Sequence, residues 1–412
     1  MFNGILSLVA VLAIATPGHA APGYGEPLTL TRGLAVTVKT IRELELAINA
    51  ANSAAKPATV LLADGVYTLR SAALHLDCDG LVIRSASGNR DKVIVRGPDQ
   101  GPKATAAHIF LVSASDVVIA DLTLGYCRFH GIQVRGEEPH NASGLHVHNC
   151  RLVNCNEQFI KGSSSKPDPV GARDGIIENC LFEFTSGWAY QYYTGGIDIH
   201  KGVNWIVRDN LFRNLRVPND QKGMAEHAIH FWNRCDTEPQ NITVERNRIV
   251  NCDRGIGFGL INEAGGHNGG TSTIRNNMIS NDGAGHSTDA GISLECADHV
   301  TITHNTVHIV GYRGAIEYRF PSSTHLTIRN NLVNHPILRR NDAPPATCSG
   351  NIESVQPRWF RDLAGGDLHL TAQATPVIDQ ADAGTAPADD IDRQSRPAGR
   401  AADIGSDEYV AE

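Results

Sequence analysis

GGIDIH at Gly195–His200 and HAIHFW at His227–Trp232 carry one pattern: an isoleucine, a polar residue, a second apolar residue, then a polar or aromatic one. It recurs as HGIQVR (His130–Arg135), RGIGFG (Arg254–Gly259), AGISLE (Ala290–Glu295) and GAIEYR (Gly314–Arg319). Side chains alternate along a strand. The isoleucine and the apolar residue two places on therefore face inward together, and the residues between them face outward.

A second series runs beside the first. Apolar stretches end at Cys150 (LHVHNC), Cys180 (IIENC), Asn210 (IVRDN), Asn247 (TVERN), Asn277 (TIRNN), Asn305 (TITHN) and Asn331 (TIRNN), in steps of 26 to 37 residues. That is a solenoid period, and the β-branched units make each repeat a strand-rich coil. One coil cannot bury its apolar face alone, but stacking on the next does so. Asparagines recurring at one turn can stack into a ladder of amides. The sequence reads as an all-β parallel β-helix.

The asparagine turns, the opening AVTVKTIRELELAINAANSAAKPATVLLADGVYTL (Ala35–Leu69) and the ending GDLHLTAQATPVIDQ (Gly366–Gln380) with DIGSDEY (Asp403–Tyr409) resemble secreted right-handed β-helix proteins of the pectate lyase superfamily. The branch holding chondroitinase B and alginate lyases is the most similar. The resemblance implies a right-handed parallel β-helix in a single domain, action on uronate-containing polysaccharides, a lysine and an arginine on one face, and calcium held by acidic and asparagine side chains. The calcium ligands do not map residue by residue. Fold similarity does not fix function.

Composition agrees with a solenoid. The 412 residues are 41% hydrophobic, with 40 Gly and only 3 Met, enough for a full core and poor in long-helix formers. Residues 1–20 read as a signal peptide cleaved near Ala20, which implies a secreted or periplasmic protein. Residues 21–345 form the β-helix with its cap, and residues 346–412 add irregular coils that close the far end. Thr40 and Glu43 make a capping box before Leu44, Ala47, Ile48 and Ala51, predicting an N-terminal helix over the open end. None of the nine cysteines forms a CxxC pair, so Cys150 and Cys180 read as buried thiols at ladder positions. A disulfide between neighbouring coils is compatible with export. A net charge of −8 argues against nucleic acid or an anionic membrane surface as partner, and no stretch after the leader is long enough to span a bilayer. A soluble monomer acting on an acidic polysaccharide is expected.

Stacking the hexamers on their isoleucines predicts the surface. One outward column holds Gln133, Asp198, His230, Gly257, Ser293 and Glu317; the next holds Arg135, His200, Trp232, Gly259, Glu295 and Arg319. In EQFIKGSS, Ile160 inward places Lys161 beside Asp198, whereas Phe159 inward turns Lys161 toward the core. Gly257 and Gly259 predict a notch between walls of titratable side chains. The loop SGWAYQYYTGG carries Trp188, Tyr190, Tyr192 and Tyr193, whose rings suit either sugar stacking or core packing. A second insertion, Arg216–Glu226, predicts the opposite wall, with Glu226 and His227 where the strand begins.

Eliminative cleavage of a uronate needs a base for the proton α to the carboxylate, a cation for that carboxylate and an acid for the leaving oxygen. Lys161 or His200 fits the base. Arg319 with Arg135, or calcium, fits the neutralising cation, and His230 or a loop tyrosine fits the acid. Trp188, Tyr192, Tyr193, His227, Trp232, Glu295 and Glu317 are candidate substrate contacts. Asp198-x-His200 is also similar to the Asp-Pro-His motif of mannuronan C5-epimerases, with Ile199 in place of proline. Hydrolysis would use carboxylates among Asp198, Glu295 and Glu317. A zinc or iron site at Asp198, His200 and His230 and a non-enzymatic sugar-binding protein are the remaining readings.

Overall fold

A computed structural model describes residues 26–70, 72–164, 171–218, 220–284, 288–382, 384 and 386–411. The predicted signal peptide lies outside the described residues. Three parallel sheets of 12, 10 and 10 strands run the length of the molecule, and hydrogen-bonded neighbours are three strands apart in sequence except at the first pair, Leu34–Val38 beside Ala58–Leu62. Each coil thus gives one strand to each sheet, the arrangement of a right-handed parallel β-helix.

The isoleucine column forms in the expected register. Ile132 pairs with Ile160, Ile160 with Ile197, Ile197 with Ile229, Ile229 with Ile256, Ile256 with Ile292, and Ile292 with Ile316. All are buried in one core, filled further by aromatic stacks such as Phe182 on Phe212, centroids 4.4 Å apart. Because Ile160 takes the inward position, Lys161 pairs with Asp198 on the outward column, which decides the register of that strand.

The amide ladder is also present. The Nδ2 of Asn210, Asn247, Asn277, Asn305 and Asn331 donates to Oδ1 of the next ladder asparagine at 2.9–3.0 Å, ending on Asn351. Cys180 receives the ladder from below, its N–H donating to Asn210 Oδ1, and Cys150 N–H donates to Cys180 Sγ. The residue before each rung, from Asn149 and Asn179 to His304 and Asn330, holds φ between 47° and 58°, the left-handed turn that asparagine and aspartate tolerate. All nine cysteines are free thiols, and only Cys348 is exposed.

The predicted helix spans Ile41–Ala54, with Glu43 N–H donating to Thr40 Oγ1 and Leu44, Ile48 and Ala51 buried. The C-terminal segment departs from expectation. The solenoid continues to a last strand at Thr347–Ser349, after which the chain returns along the flank of earlier coils instead of only closing the far end. Asp382 N–H donates to Asn330, Ser406 meets Thr306, Arg246 reaches Asp389, Arg248 reaches Asp392, and Arg393 reaches Asp209. A second apolar cluster, with Met278, Leu332, Trp359, Phe360 and Leu368, seals this strap. No described helix is long and apolar enough to cross a membrane.

Candidate active site

The face built by the hexamer strands carries its chemistry where three adjacent strands meet: Gln158–Ser163, Gly195–His200 and His227–Trp232. Lys161, Asp198 and His230 are consecutive in one column, and His200 and Trp232 are consecutive in the next. The Lys161 ammonium donates to Asp198 Oδ2 and, at 2.8 Å, to Nε2 of His200. Trp232 Nε1 donates to Asp198 Oδ1 at 2.7 Å, and its ring meets the His200 imidazole edge to face at 4.2 Å. Asp198 is 7% exposed and Lys161 9%, so the cluster lies deeper than a decorated surface would.

Burial alone would raise the Asp198 carboxyl, but the Lys161 ammonium, with His200 and His230, holds it well below the usual carboxylate range. Burial pushes His230 down to about 4, so this imidazole is neutral near pH 7. Its Nε2–H donates to Gly259 O at 3.1 Å, leaving the unprotonated Nδ1 3.9 Å from Asp198 Oδ1. A neutral ring whose one proton is already engaged supports the cluster and is poorly placed as a proton donor.

The expected notch is filled. The His227 ring lies over Gly257, where a Cβ would stand 2.6 Å from its Nε2. That nitrogen shares a 3.0 Å hydrogen bond with Ser293 Oγ, and the ring packs 4.4 Å from His230. At Gly259, φ is 79° and a Cβ would collide with Glu295 O; this glycine serves backbone packing. The face is therefore a shallow ribbon. A small recess lined by Val66, Arg96, Tyr126 and Arg151 lies away from it.

Arg319, Glu295 and Glu317 form a separate group. Arg319 bonds Glu295 at 2.7 Å and approaches Glu317 at 3.4 Å, while Tyr312 and Arg340 donate to Glu317 at 2.7 and 2.9 Å. The Arg319 strand is three strand spacings from that of His230, about 14 Å. Arg135 lies two spacings to the other side of Asp198, about 10 Å away, and pairs with Glu137 at 3.1 Å. Neither arginine touches the lysine cluster. Tyr192 and Tyr193 are exposed, as a binding loop requires. The Trp188 ring is covered by the Arg216 guanidinium at 4.1 Å, so that face is closed to a sugar, and Tyr190 packs against Phe184.

Sequence reasoning missed Arg254, Tyr312 and Arg340. Arg254 pairs with Glu226 at 3.1 Å and approaches Asp289 at 3.5 Å; it opens its hexamer, a position outside the two outward columns. Burial raises the Glu226 carboxyl above its usual range against the pull of Arg254.

Calcium asks for six to eight oxygen donors. Among the described residues of this face Asp198 is matched by Lys161, Glu226 by Arg254, Glu295 by Arg319 and Glu317 by Arg340, and Glu157 has only the neutral His130 near it, at 3.9 Å. The donor set does not fit calcium. The zinc or iron reading fails similarly, since Lys161 Nζ occupies the space between Asp198 and His200 that a metal would need.

No family model matches the chain, and no curated protein matches it. Among solved structures, the pectate lyase Pel9A superposes with a TM-score of 0.53 at 14% identity, covering 88% of this chain and 90% of that one. The fold is that of the pectate lyase type of right-handed β-helix. The mannuronan C-5 epimerase AlgE6 A-module of Azotobacter vinelandii gives 0.46 at 13% identity, covering 78% of this chain and 100% of that one. An alginate lyase from Paenibacillus sp. str. FPU-7 gives 0.40 at 13%, covering 76% and 99%.

Proposed function

We propose that the protein is an exported polysaccharide lyase that cleaves a uronate-containing chain by β-elimination on this face. The observation that carries the reading is the Lys161 ammonium shared between the Asp198 carboxylate and the His200 imidazole. Asp198 holds Lys161 in place beside His200. In the free enzyme Lys161 donates to His200 Nε2, so that nitrogen is the acceptor and holds the lone pair. An incoming uronate carboxylate takes the ammonium, which withdraws from His200 and releases the lone pair beside the substrate.

His200 then takes the proton α to the carboxylate, and Lys161 stabilises the enediolate charge that develops. The electron pair forms the C4–C5 double bond as the C4–O bond breaks, and Tyr192 or Tyr193 of the loop protonates the leaving oxygen. Hydrolysis is favoured less, because both Asp198 oxygens are engaged by Lys161 and Trp232. Epimerisation shares the first step and differs in where the proton returns.

The test is a panel of alginate, polygalacturonate and glycosaminoglycans with three readouts. Ultraviolet absorbance of the conjugated product with shortening chains supports elimination. New reducing ends without absorbance, or solvent deuterium entering intact chains, overturn it in favour of hydrolysis or epimerisation. If no substrate turns over and Lys161→Ala retains sugars on an affinity gel as the parent does, the protein is a binding module.

A further inference from the structure

Three groups of histidine and carboxylate side chains lie close enough to share an ion among the described residues. In the first, His146 and His148 both bond Glu178, whose other oxygen is held by Arg208 at 2.7 Å, and His148 Nε2 donates to Glu26 O. In the second, His369 is enclosed by Asp367, Asp392 and Arg248. Both are closed networks with an arginine already in place.

The third group is open. The Asp298 carboxylate receives His299 Nδ1 on Oδ2 and His325 Nδ1 on Oδ1, each at 2.8 Å. Among the described residues no lysine or arginine pairs with Asp298. The two imidazoles stack with centroids 4.1 Å apart, and their side chains are 50% and 65% exposed. The Thr324 hydroxyl donates to Asp298 Oδ1 and fixes its rotamer.

The position within the solenoid makes this pairing regular. His299 and His325 each stand two residues before the paired Thr301 and Thr327, with φ of 51° and 52°. In earlier coils the same left-handed turn holds Asp174, Asn204 and Asn241, joined side chain to side chain. In two later coils imidazoles take the place of amides, exchanging a hydrogen-bonded row for a pair of nitrogen donors beside a carboxylate.

We propose that Asp298, His299 and His325 bind a divalent transition-metal ion of the zinc kind. Two imidazole nitrogens and one carboxylate are its characteristic donors, whereas calcium and magnesium ask for oxygen alone. The three ligand atoms lie within 4.8 Å of one another. Binding needs only that each ring move its proton from Nδ1 to Nε2, turning the Nδ1 lone pair inward. The remaining coordination positions face solvent. The ion would staple the turn that follows Glu295 to the turn that follows Arg319, the two coils that share that ion pair.

The test uses the full chain freed of metal by a chelator and titrated with Co²⁺, read by its visible absorption, then displaced by Zn²⁺. One equivalent is expected in the parent and in the control variants His146→Ala and Cys348→Ser. His325→Ala and Asp298→Asn should each abolish the signal, and excess Ca²⁺ should leave it unchanged. Absence of the signal in the parent, or its retention in His325→Ala, overturns the assignment.

Discussion

Trp232 donates its indole hydrogen to the Asp198 oxygen that Lys161 leaves vacant, so a carboxylate 7% exposed has a partner on each oxygen. Buried ion pairs are costly to break from one side, because the surviving charge stays desolvated. Asp198→Ala should destabilise the protein by about 3–5 kcal/mol, measured by denaturant unfolding. The double variant Lys161→Met with Asp198→Leu should recover most of that loss while remaining inactive.

Gly257 exists to seat His227. A Cβ there would meet three ring atoms within 2.9 Å, so Gly257→Ala should cost about 1–3 kcal/mol through overpacking. Combining it with His227→Ala should restore stability, and the coupling in a double-mutant cycle measures the contact.

Removal of a central rung tests the ladder. Asn277 accepts from both Asn247 donors and gives its own hydrogens to Asn305 and Val244 O. Asn277→Ala strands these groups in the core and should cost about 3 kcal/mol. Asn277→Cys should cost less, since thiols already serve at Cys150 and Cys180.

Acid should weaken the fold between pH 6.5 and about 4. Burial lowers His108 and His230 to about 4 and His130, His267 and His304 to about 3, from an ordinary 6.5. The unfolded chain therefore takes up protons in this window that the folded chain refuses, and stability falls with pH. Asp121, Asp403 and Asp407, raised to about 6, act in the opposite direction, because they gain as pH falls from 6 toward 3.8. Five larger shifts outweigh three smaller ones, so the melting temperature should drop across the window. A flat or rising profile would contradict the burial of these rings.

Chelator treatment should leave elimination on the lysine face unchanged, because Asp198, Glu226, Glu295 and Glu317 already have cations. A loss of product absorbance restored by Ca²⁺ would show that these ion pairs rearrange around a metal.

The fold was legible because it repeats. Alternation and a recurring isoleucine fix which residues share a face, and recurring asparagines fix the turn, so core, ladder and outward columns all follow from counting. The lysine cluster was legible to the same degree: the columns place Lys161, Asp198, His200, His230 and Trp232 side by side once Ile160 is known to face inward. What counting cannot supply is reach. Long side chains choose partners across and along the sheet, which is why Arg319 was assigned to a substrate carboxylate yet spends its charge on Glu295, and why His227 fills the gap left by Gly257. The C-terminal strap was illegible for a related reason, since it has no period and its partners are charges on coils far earlier in the chain.

That strap changes how the molecule comes apart and together. In an unstrapped solenoid each coil answers only to its neighbours, so damage at one end frays that end. Here Arg393 grips Asp209, 184 positions upstream, and its companions reach Arg246, Arg248 and Thr306. A chain clipped before Asp382 would therefore lose its grip in the middle of the stack, on coils that also carry Asp198 and His230, and a growing chain cannot lock those coils until Arg393 has been made.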